Sequence, residues 1–301
     1  MAFLIVFQQS VLPLFIIIGV ALVYHRFFKP DIREITSLTL TVLAPVFVFD
    51  AIVRHNINLA ALKTPFTFMV ILTALLLLLA YFAGRLLQLQ EDDRISFTLA
   101  CSMINIGNFG LPLIYFTYGE QAVSYSVVYF VAFNFVLSTI AIYLSSNSSG
   151  FKKIMQDLIR MPLFHAFFLA MIVVQLSVPL PGFVLKSIGL IGQATIPLLI
   201  FILGLQLANS RFQSKFLKII AAAVAIRLLI SPAIQHPLLE MLNVSGLELK
   251  VATLQTSAPS ALLPLMYAIK FNRSPDLLAS IILATTVLSS ISLTGLIQWI
   301  G

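Results

Sequence analysis

The stretch that decides the fold reads Asn105-Ile106-Gly107-Asn108-Phe109-Gly110-Leu111-Pro112-Leu113-Ile114-Tyr115. It lies inside a long apolar segment, yet it contains two asparagines, two glycines and a proline. A proline inside a helix lacks the N–H that would bond the carbonyl four residues earlier, which here belongs to Asn108. An unpaired backbone group in hydrocarbon is so costly that such a break is tolerated only where protein or a watery cavity surrounds it. The stretch therefore predicts an interrupted membrane helix that lines a cavity.

A second stretch repeats this pattern in the other half of the chain. It reads Ser257-Ala258-Pro259-Ser260-Ala261-Leu262-Leu263-Pro264-Leu265-Met266-Tyr267. Pro264 follows Pro112 by 152 positions, and Pro197 follows Pro45 by the same 152 positions. Hydrophobic segments that Gly or Pro interrupts at corresponding places in two halves are typical of the binding site of a secondary transporter.

Composition places the whole chain in a membrane. Of its 301 residues, 60% are hydrophobic and 10% are charged, whereas a soluble domain is about one quarter charged. The net charge of +7 comes from Lys and Arg scattered in short connections, which does not indicate nucleic-acid binding. The sequence contains no P-loop, hydrolase or metalloprotease motif, and its 4 His have no metal-ligand spacing. We therefore expect no enzymatic activity, no cofactor and no metal.

We predict an all-α membrane protein with ten transmembrane helices. The predicted spans cover residues 4–27, 33–53, 65–88, 94–116, 120–144, 162–179, 183–208, 215–239, 248–270 and 276–299. Because each half holds an odd number of spans, the second half must be inverted relative to the first. We therefore expect a 5+5 inverted repeat, with one half at 1–150 and the other at 151–301. Inversion makes the broken spans 4 and 9 enter from opposite sides and cross near mid-membrane.

Lys and Arg are divided unevenly between the two predicted sides. Of the 18, 13 lie around the connections that follow spans 1, 3, 5, 7 and 9, and 4 lie on the opposite side. Positively charged connections stay in the cytoplasm. The sequence therefore predicts an integral membrane protein with both termini outside and the loop at 145–161 inside.

The crossing of the two broken spans is the predicted binding site. Half-helix ends at the crossing present free N–H groups and partial positive charge, so a carboxylate of a small organic anion is the natural ligand. We assign Asn105, Asn108 and Ser260 as its side-chain partners. The backbone breaks that complete the site are predicted at Gly110, Pro112, Pro259 and Pro264. The alternative is a pair of proline kinks that pack closely through Gly107 and Gly110.

Two charged residues inside the predicted spans have two interpretations each. Arg227 lies near the middle of span 8, where a charge is costly and usually functional. It is either a functional charge, which counters an anionic substrate or pairs with an internal acid, or a structural tether, which donates to carbonyls that a broken helix frees. Asp50 lies late in span 2, close to Arg54, and is either a protonatable coupling group or half of an interfacial ion pair. Gln206 and Asn209, near the inner end of span 7, are further polar candidates.

At these residues the chain resembles the auxin efflux carrier family of plants and its bacterial relatives. In the fourth span of plant members an Asn precedes a Gly and a Pro by five and seven positions, as Asn105 precedes Gly110 and Pro112. Their ninth span reads Pro-Gln-Gly-x-x-Pro, where this chain has Pro259-Ser260-Ala261-Leu262-Leu263-Pro264. Gln and Gly of the plant motif are thus replaced, so the identity of the substrate does not transfer.

Their eighth span also matches, because an Arg lies five residues before a Pro, as Arg227 precedes Pro232. The resemblance covers essentially the whole chain and implies a crossover fold shared with bile-acid symporters and certain sodium/proton antiporters. It implies a homodimer, a scaffold from spans 1, 2, 6 and 7, and a moving transport domain from spans 3–5 and 8–10. It also implies a place in the bacterial inner (plasma) membrane and a small organic anion as substrate, either auxin-like or a dicarboxylate such as malonate or malate.

The sequence thus predicts a secondary transporter of small organic anions that works by alternating access at the crossing of spans 4 and 9. One alternative is a sodium- or proton-coupled symporter of the bile-acid type, which needs acidic side chains beside the crossing, where this chain offers amides. An alternative of another class is a membrane receptor or structural subunit that does not transport. The expected partners are the substrate, membrane lipid and a second copy of the chain, and not nucleic acid.

Overall fold

The computed structural model describes residues 2–145, 160–271 and 273–301, and these form helices joined by short connections. The helices are α1 Ala2–Phe28, α2 Ile32–Arg54, α3 Leu59–Leu86, α4 Glu91–Ser102, α5 Leu111–Tyr118, α6 Glu120–Ser145, α7 Pro162–Gln175, α8 Gly182–Ala208, α9 Ser214–Met241, α10 Gly246–Thr256, α11 Leu263–Lys270 and α12 Pro275–Ile300. Within these described ranges no β-strand occurs apart from one isolated bridge. The all-helical prediction is confirmed, whereas most of the predicted loop between the halves, 146–159, lies outside the described residues.

Six of these helices are long and apolar enough to cross a membrane, namely α1, α2, α3, α8, α9 and α12. They are 23 to 28 residues long, and the shorter helix α7 is also apolar. Large apolar side chains such as Phe27, Phe82 and Ile291 are exposed on the outside of the molecule, where lipid would cover them. The structure is therefore that of a helical membrane protein, while the count of ten spans and the 5+5 repeat stay predictions.

The prolines of the two key stretches lie at helix starts rather than at the interruptions themselves. Pro112 is the second residue of α5, and Pro264 is the second residue of α11. A proline in the first turn costs little, because its N–H would have had no intrahelical partner there. The break expected at Pro112 therefore lies earlier, at residues 103–105, and a π-helical turn, Ile106–Gly110, leads from it into α5.

Two sets of helices pack closely among themselves. In the first set, α2 packs against α7 and α8, and α8 packs against α1. The approach of α1 and α8 depends on Gly204, where an added Cβ would lie 2.6 Å from the Cβ of Ala21. In the second set, α3 contacts α4 and α6, α10 contacts α6 and α9, and α12 contacts α4 and α9. The π-helical turn before α5 contacts α8, so the interruption lies where the two sets meet.

Candidate functional site

The two interruptions meet and bond to each other through their backbones. Asn105 donates its backbone N–H to the carbonyl oxygen of Pro259 at 2.8 Å. In the reciprocal bond, Ala261 donates its N–H to the carbonyl oxygen of Met103 at 2.9 Å. Backbone groups that leave a helix in an apolar interior must find other partners. The interruptions are tolerated because each one supplies the missing partners of the other.

The residues at the centre of this antiparallel bridge are Ile104 and Ser260. Ser260 is fully buried, and its hydroxyl donates to the carbonyl oxygen of Ala100 at 2.7 Å. Its backbone N–H donates to the hydroxyl oxygen of Thr285 at 3.3 Å. Ser260 therefore lies inside the joint between the helices and is not part of the wall of the cavity described next. Its assignment as a ligand partner stays a prediction.

A cavity of about 230 Å³ opens beside this crossing. It lies toward the end of the molecule where α2 and α7 begin and α8 ends, and residues of all three helices line it. The first interruption contributes Asn105 and Asn108, and the second contributes Ala261 and Leu262. None of the described residues on this wall carries a formal charge.

Three polar atoms on the wall are buried and lack a hydrogen-bond partner within the described structure. They are the amide nitrogen Nδ2 of Asn105, the hydroxyl oxygen Oγ1 of Thr36 and the amide oxygen Oε1 of Gln206. The Asn105 residue is only 5% exposed. Because buried polar groups in native proteins are nearly always bonded, unpaired ones around a cavity mark the place where a ligand or water completes them.

The same wall carries the N-terminal ends of two helices. Leu263, the first residue of α11, lines the cavity, and so do Ile106, Gly107 and Asn108 of the π-helical turn that leads into α5. Each helix N-terminus behaves as about half a positive charge and presents N–H groups. Such a wall is chemically suited to an anion, and the small organic anion as ligand stays a prediction.

The glycines of the first stretch serve close packing. A Cβ added to Gly110 would lie 2.9 Å from Cγ and 3.3 Å from the carbonyl oxygen of Gln255 on α10. A Cβ added to Gly107 would lie 2.7 Å from the ring of Phe130 on α6. Gly110 is buried and is not part of the cavity wall, and neither are the prolines at the two breaks, Pro112, Pro259 and Pro264. Close packing and an open cavity therefore exist side by side at this stretch.

Sequence reasoning missed Gln255. It is fully buried, and its Nε2 donates to the carbonyl oxygens of Ile106 at 3.3 Å and of Ser126 at 3.1 Å. It therefore fastens α10 to the first interruption and to α6. The signal in the sequence is a Gln inside an apolar span, because a polar side chain there is costly and usually has a bonded partner. Thr36 was also missed, and a single threonine near a helix start gives no such signal.

Arg227 lies on α9, is fully buried and does not line the cavity. Its Nε donates to the carbonyl oxygen of Ala258 at 3.1 Å, and its Nη1 to that of Cys101 at 3.4 Å. Its Nη2 donates to the carbonyl oxygen of Thr256. This geometry supports the second interpretation of Arg227, in which it binds carbonyls that broken helices free.

Asp50 lies at the opposite end of the molecule from the cavity opening. One of its carboxylate oxygens lies 3.0 Å from Nη2 of Arg54, whose side chain is 50% exposed. Both residues line a second cavity of about 490 Å³, together with Tyr115 and Glu120. This placement supports the interpretation of Asp50 as half of an ion pair.

The chain matches a known protein family over nearly its whole length. The sequence model of the family described as membrane transport protein matches residues 6–156 and 146–297. The chain belongs to the membrane transport protein family. The resemblance to auxin efflux carriers is thereby confirmed, and the protein is a membrane transporter of this family.

Three relatives illustrate the membership. An uncharacterized transporter of Methanothermobacter thermautotrophicus is 27% identical over 267 residues, which cover 88% of each chain. An uncharacterized transporter of Methanocaldococcus jannaschii is 29% identical over 219 residues, or 70% of each chain. Auxin efflux carrier component 1 of Arabidopsis thaliana is 28% identical over 108 residues, which are 36% of this chain and 17% of the plant protein. These relatives indicate a transport role rather than catalysis.

Proposed function

We propose that this member of the membrane transport protein family is a secondary transporter of small organic anions, auxin-like or dicarboxylate. The observation that carries the proposal is the unpartnered Asn105 amide, which lies beside two helix N-termini in an uncharged cavity. A carboxylate suits the Asn105 amide and the two helix ends, because it accepts hydrogen bonds and brings the negative charge that the helix ends favour.

We further propose that the helices form ten spans in a 5+5 inverted repeat and work by alternating access. The first packed set, α1, α2, α7 and α8, is the scaffold, and the remaining helices are the transport domain. In support, the cavity wall contains Thr36 and Gln206 from the first set and Asn105 from the connection between α4 and α5, which belongs to the proposed transport domain. A ligand in the cavity would therefore touch both domains, as a substrate that moves with one domain against the other must. The resemblance to auxin carriers adds a homodimer to the proposal.

The proposed orientation rests on the distribution of Lys and Arg. With the Lys- and Arg-rich connections in the cytoplasm, the 230 Å³ cavity faces inward and the cavity at Asp50 faces outward. In a variant with Cys101 replaced by Ala, a single cysteine at Gln90 should then be protected from an impermeant thiol reagent in intact cells. A cysteine at Leu180 should react readily. The reverse pattern would invert the orientation.

Uptake into proteoliposomes tests the proposed function directly. Radiolabelled mono- and dicarboxylates are offered with and without sodium or proton gradients, and empty liposomes serve as the control. We expect saturable uptake of at least one small organic acid. Uptake of the labelled acid should be faster when the vesicles contain the unlabelled acid, because the two exchange. Binding without flux would favour the receptor alternative. Strict dependence on a sodium or proton gradient would favour a symporter of the bile-acid type, although no described acidic side chain lines the cavity.

A further inference from the structure

The guanidinium of Arg227 lies where the C-terminal ends of two interrupted helices converge. Cys101 and Thr256, whose carbonyls accept from it, belong to the last turns of α4 and α10. Ala258, which supplies the third carbonyl, comes two residues after the end of α10. Carbonyls in the last turn of a helix have no intrahelical donor. A single side chain thus caps both helices at the crossing.

The charges at this junction balance without any further ion. Each helix C-terminus behaves as about half a negative charge, so two converging ends amount to about one negative charge. The guanidinium supplies one positive charge and donates from Nε, Nη1 and Nη2. Among the described residues no acidic side chain forms an ion pair with Arg227. The negative partners of the buried cation are therefore the two helix ends.

In transporters with broken membrane helices, freed carbonyls and half-helix C-terminal ends commonly coordinate the coupling Na⁺ or H⁺. We propose that Arg227 is a built-in cation that takes the place of a dissociable coupling cation at the crossing. Because arginine does not give up its proton in proteins, it cannot carry one across the membrane. Substrate binding and transport should then proceed without sodium or potassium, a consequence that rests on the proposed transport function.

This assignment also accounts for the anion-favouring cavity. The four half-helix ends at the crossing separate into two C-terminal ends that Arg227 neutralises and two N-terminal ends at the cavity wall. With the negative ends neutralised, the partial positive charges of α5 and α11 remain available to a bound anion. Arg227 is therefore a positioning residue, which acts on the ligand only through the helices that it holds.

A disulfide reporter tests the assignment without any substrate. Ile104 and Ser260 form a non-hydrogen-bonded pair of the antiparallel bridge, because the backbone bonds are made by the residues on either side of them. The Cα atoms of such a pair are about 4.5 Å apart, which suits a disulfide. In a background with Cys101→Ala, the double variant Ile104→Cys, Ser260→Cys should form the disulfide efficiently on mild oxidation. The yield then reports whether the crossing is intact.

The reporter is combined with three variants of Arg227 in solutions of equal ionic strength. Arg227→Lys keeps a cation and should keep the yield, whereas Arg227→Gln and Arg227→Met should lower it severalfold in choline chloride. Sodium chloride or dilute guanidinium chloride should restore the yield for Arg227→Gln, because a small cation can occupy the vacated position. A yield for Arg227→Gln that equals wild type, or that no cation restores, would overturn the proposal. So would sodium dependence of the reporter with Arg227 intact.

A second measurement uses wild-type protein in proteoliposomes. Uptake of the transported acid should be the same within about twofold whether sodium, potassium or choline is the only cation. A wild-type requirement for sodium would overturn the built-in cation even if the reporter behaved as expected. If no acid is taken up at all, the proposed function fails, while the reporter result still decides the role of Arg227.

Discussion

The two interrupted helices repeat one another in sequence but use their side chains differently. In the first, α4 to α5, the interruption exposes Asn105 and Asn108 to the cavity, and the amide nitrogen of Asn105 has no partner within the described structure. In the second, α10 to α11, the polar side chains are already bonded. Ser257 accepts from Gln235 Nε2 at 3.0 Å and donates to the carbonyl oxygen of Thr253 at 2.6 Å.

This difference separates two roles that the proline repeat alone does not distinguish. Both stretches break the backbone, and both supply a helix N-terminus near the cavity. Only the first leaves a side-chain amide free for a ligand, since Ser260 is bonded inside the joint. In the proposed site the ligand binds the stretch whose side chains remain unpaired, and only the folded chain shows which side chains those are.

The largest expected effect comes from forcing the first interruption away from α10. Gly110→Leu would place carbon atoms against the carbonyl oxygen and side chain of Gln255. Overpacking of this kind costs about 3 kcal/mol at the upper end of its usual range. We expect a clearly lower unfolding temperature of the purified protein in detergent.

The matched control is Gly295→Leu on α12, where nothing lies within 4 Å of an added Cβ. Its unfolding temperature should stay at or above that of wild type, because glycine is a poor helix residue. Equal stability of the two variants would mean that Gly110 is not held against α10. The residue 152 positions after Gly110 is already a leucine, Leu262, and it lines the cavity. The second stretch therefore tolerates at this position the side chain that we expect to destabilise the first.

The second prediction concerns ligand affinity. Asn105→Ala removes the free amide and leaves the bound oxygen of the ligand without a donor, at a cost of about 1–3 kcal/mol. Equilibrium binding of the transported acid to purified protein should therefore weaken roughly tenfold to a hundredfold. Asn209→Ala changes an exposed asparagine outside the cavity wall and should bind like wild type. Equal affinities of both variants would place the site elsewhere.

The third prediction is smaller and concerns the second interruption. Ser260→Ala removes the hydrogen bond to the carbonyl of Ala100, which should lower the free energy of unfolding by about 1 kcal/mol. Ligand affinity should fall much less than in Asn105→Ala. If affinity falls as far as it does in Asn105→Ala, Ser260 reaches the ligand and the two interruptions are equivalent after all.

The smallest effect is expected far from both interruptions. Asp50→Asn breaks the ion pair with Arg54, and a half-exposed pair contributes about 0–1 kcal/mol. Affinity and exchange rate in proteoliposomes should stay within about twofold of wild type. Unchanged binding with loss of proton-driven uptake would instead identify Asp50 as a coupling group.

The interruptions and their meeting could be predicted because their signals are local. Asn, Gly and Pro in an apolar run indicate a break, and two such runs at one offset indicate that the breaks belong together. The exact position of each break could not be predicted in this way. A proline disrupts the interior of a helix but is tolerated in its first turn. Pro112 lies in the first turn of α5, so it marks the helix start that follows the break and not the break itself.

The partners of the buried polar residues could not be predicted at all. Sequence reasoning singled out Arg227 as a charge in an apolar span and missed Gln255, and nothing local selects the carbonyl partners of either residue. The Cys101 carbonyl lies 126 positions from Arg227, and the Ser126 carbonyl lies 129 positions from Gln255. Such contacts depend on how α9 and α10 pack on the rest of the chain. The choice between the two interpretations of Arg227 therefore required the fold.

The reciprocal backbone bonds between the interruptions tie the lengths of the two stretches to each other. Side chains alternate between opposite faces along an extended segment, so inserting or deleting one residue reverses the direction of those beyond it. A single residue inserted between Met103 and Asn105 would turn the Asn105 amide away from the cavity, although no residue would have been substituted. In libraries of variants of this transporter, we expect many substitutions in the two stretches to be tolerated. We expect no insertion or deletion in either stretch to be tolerated.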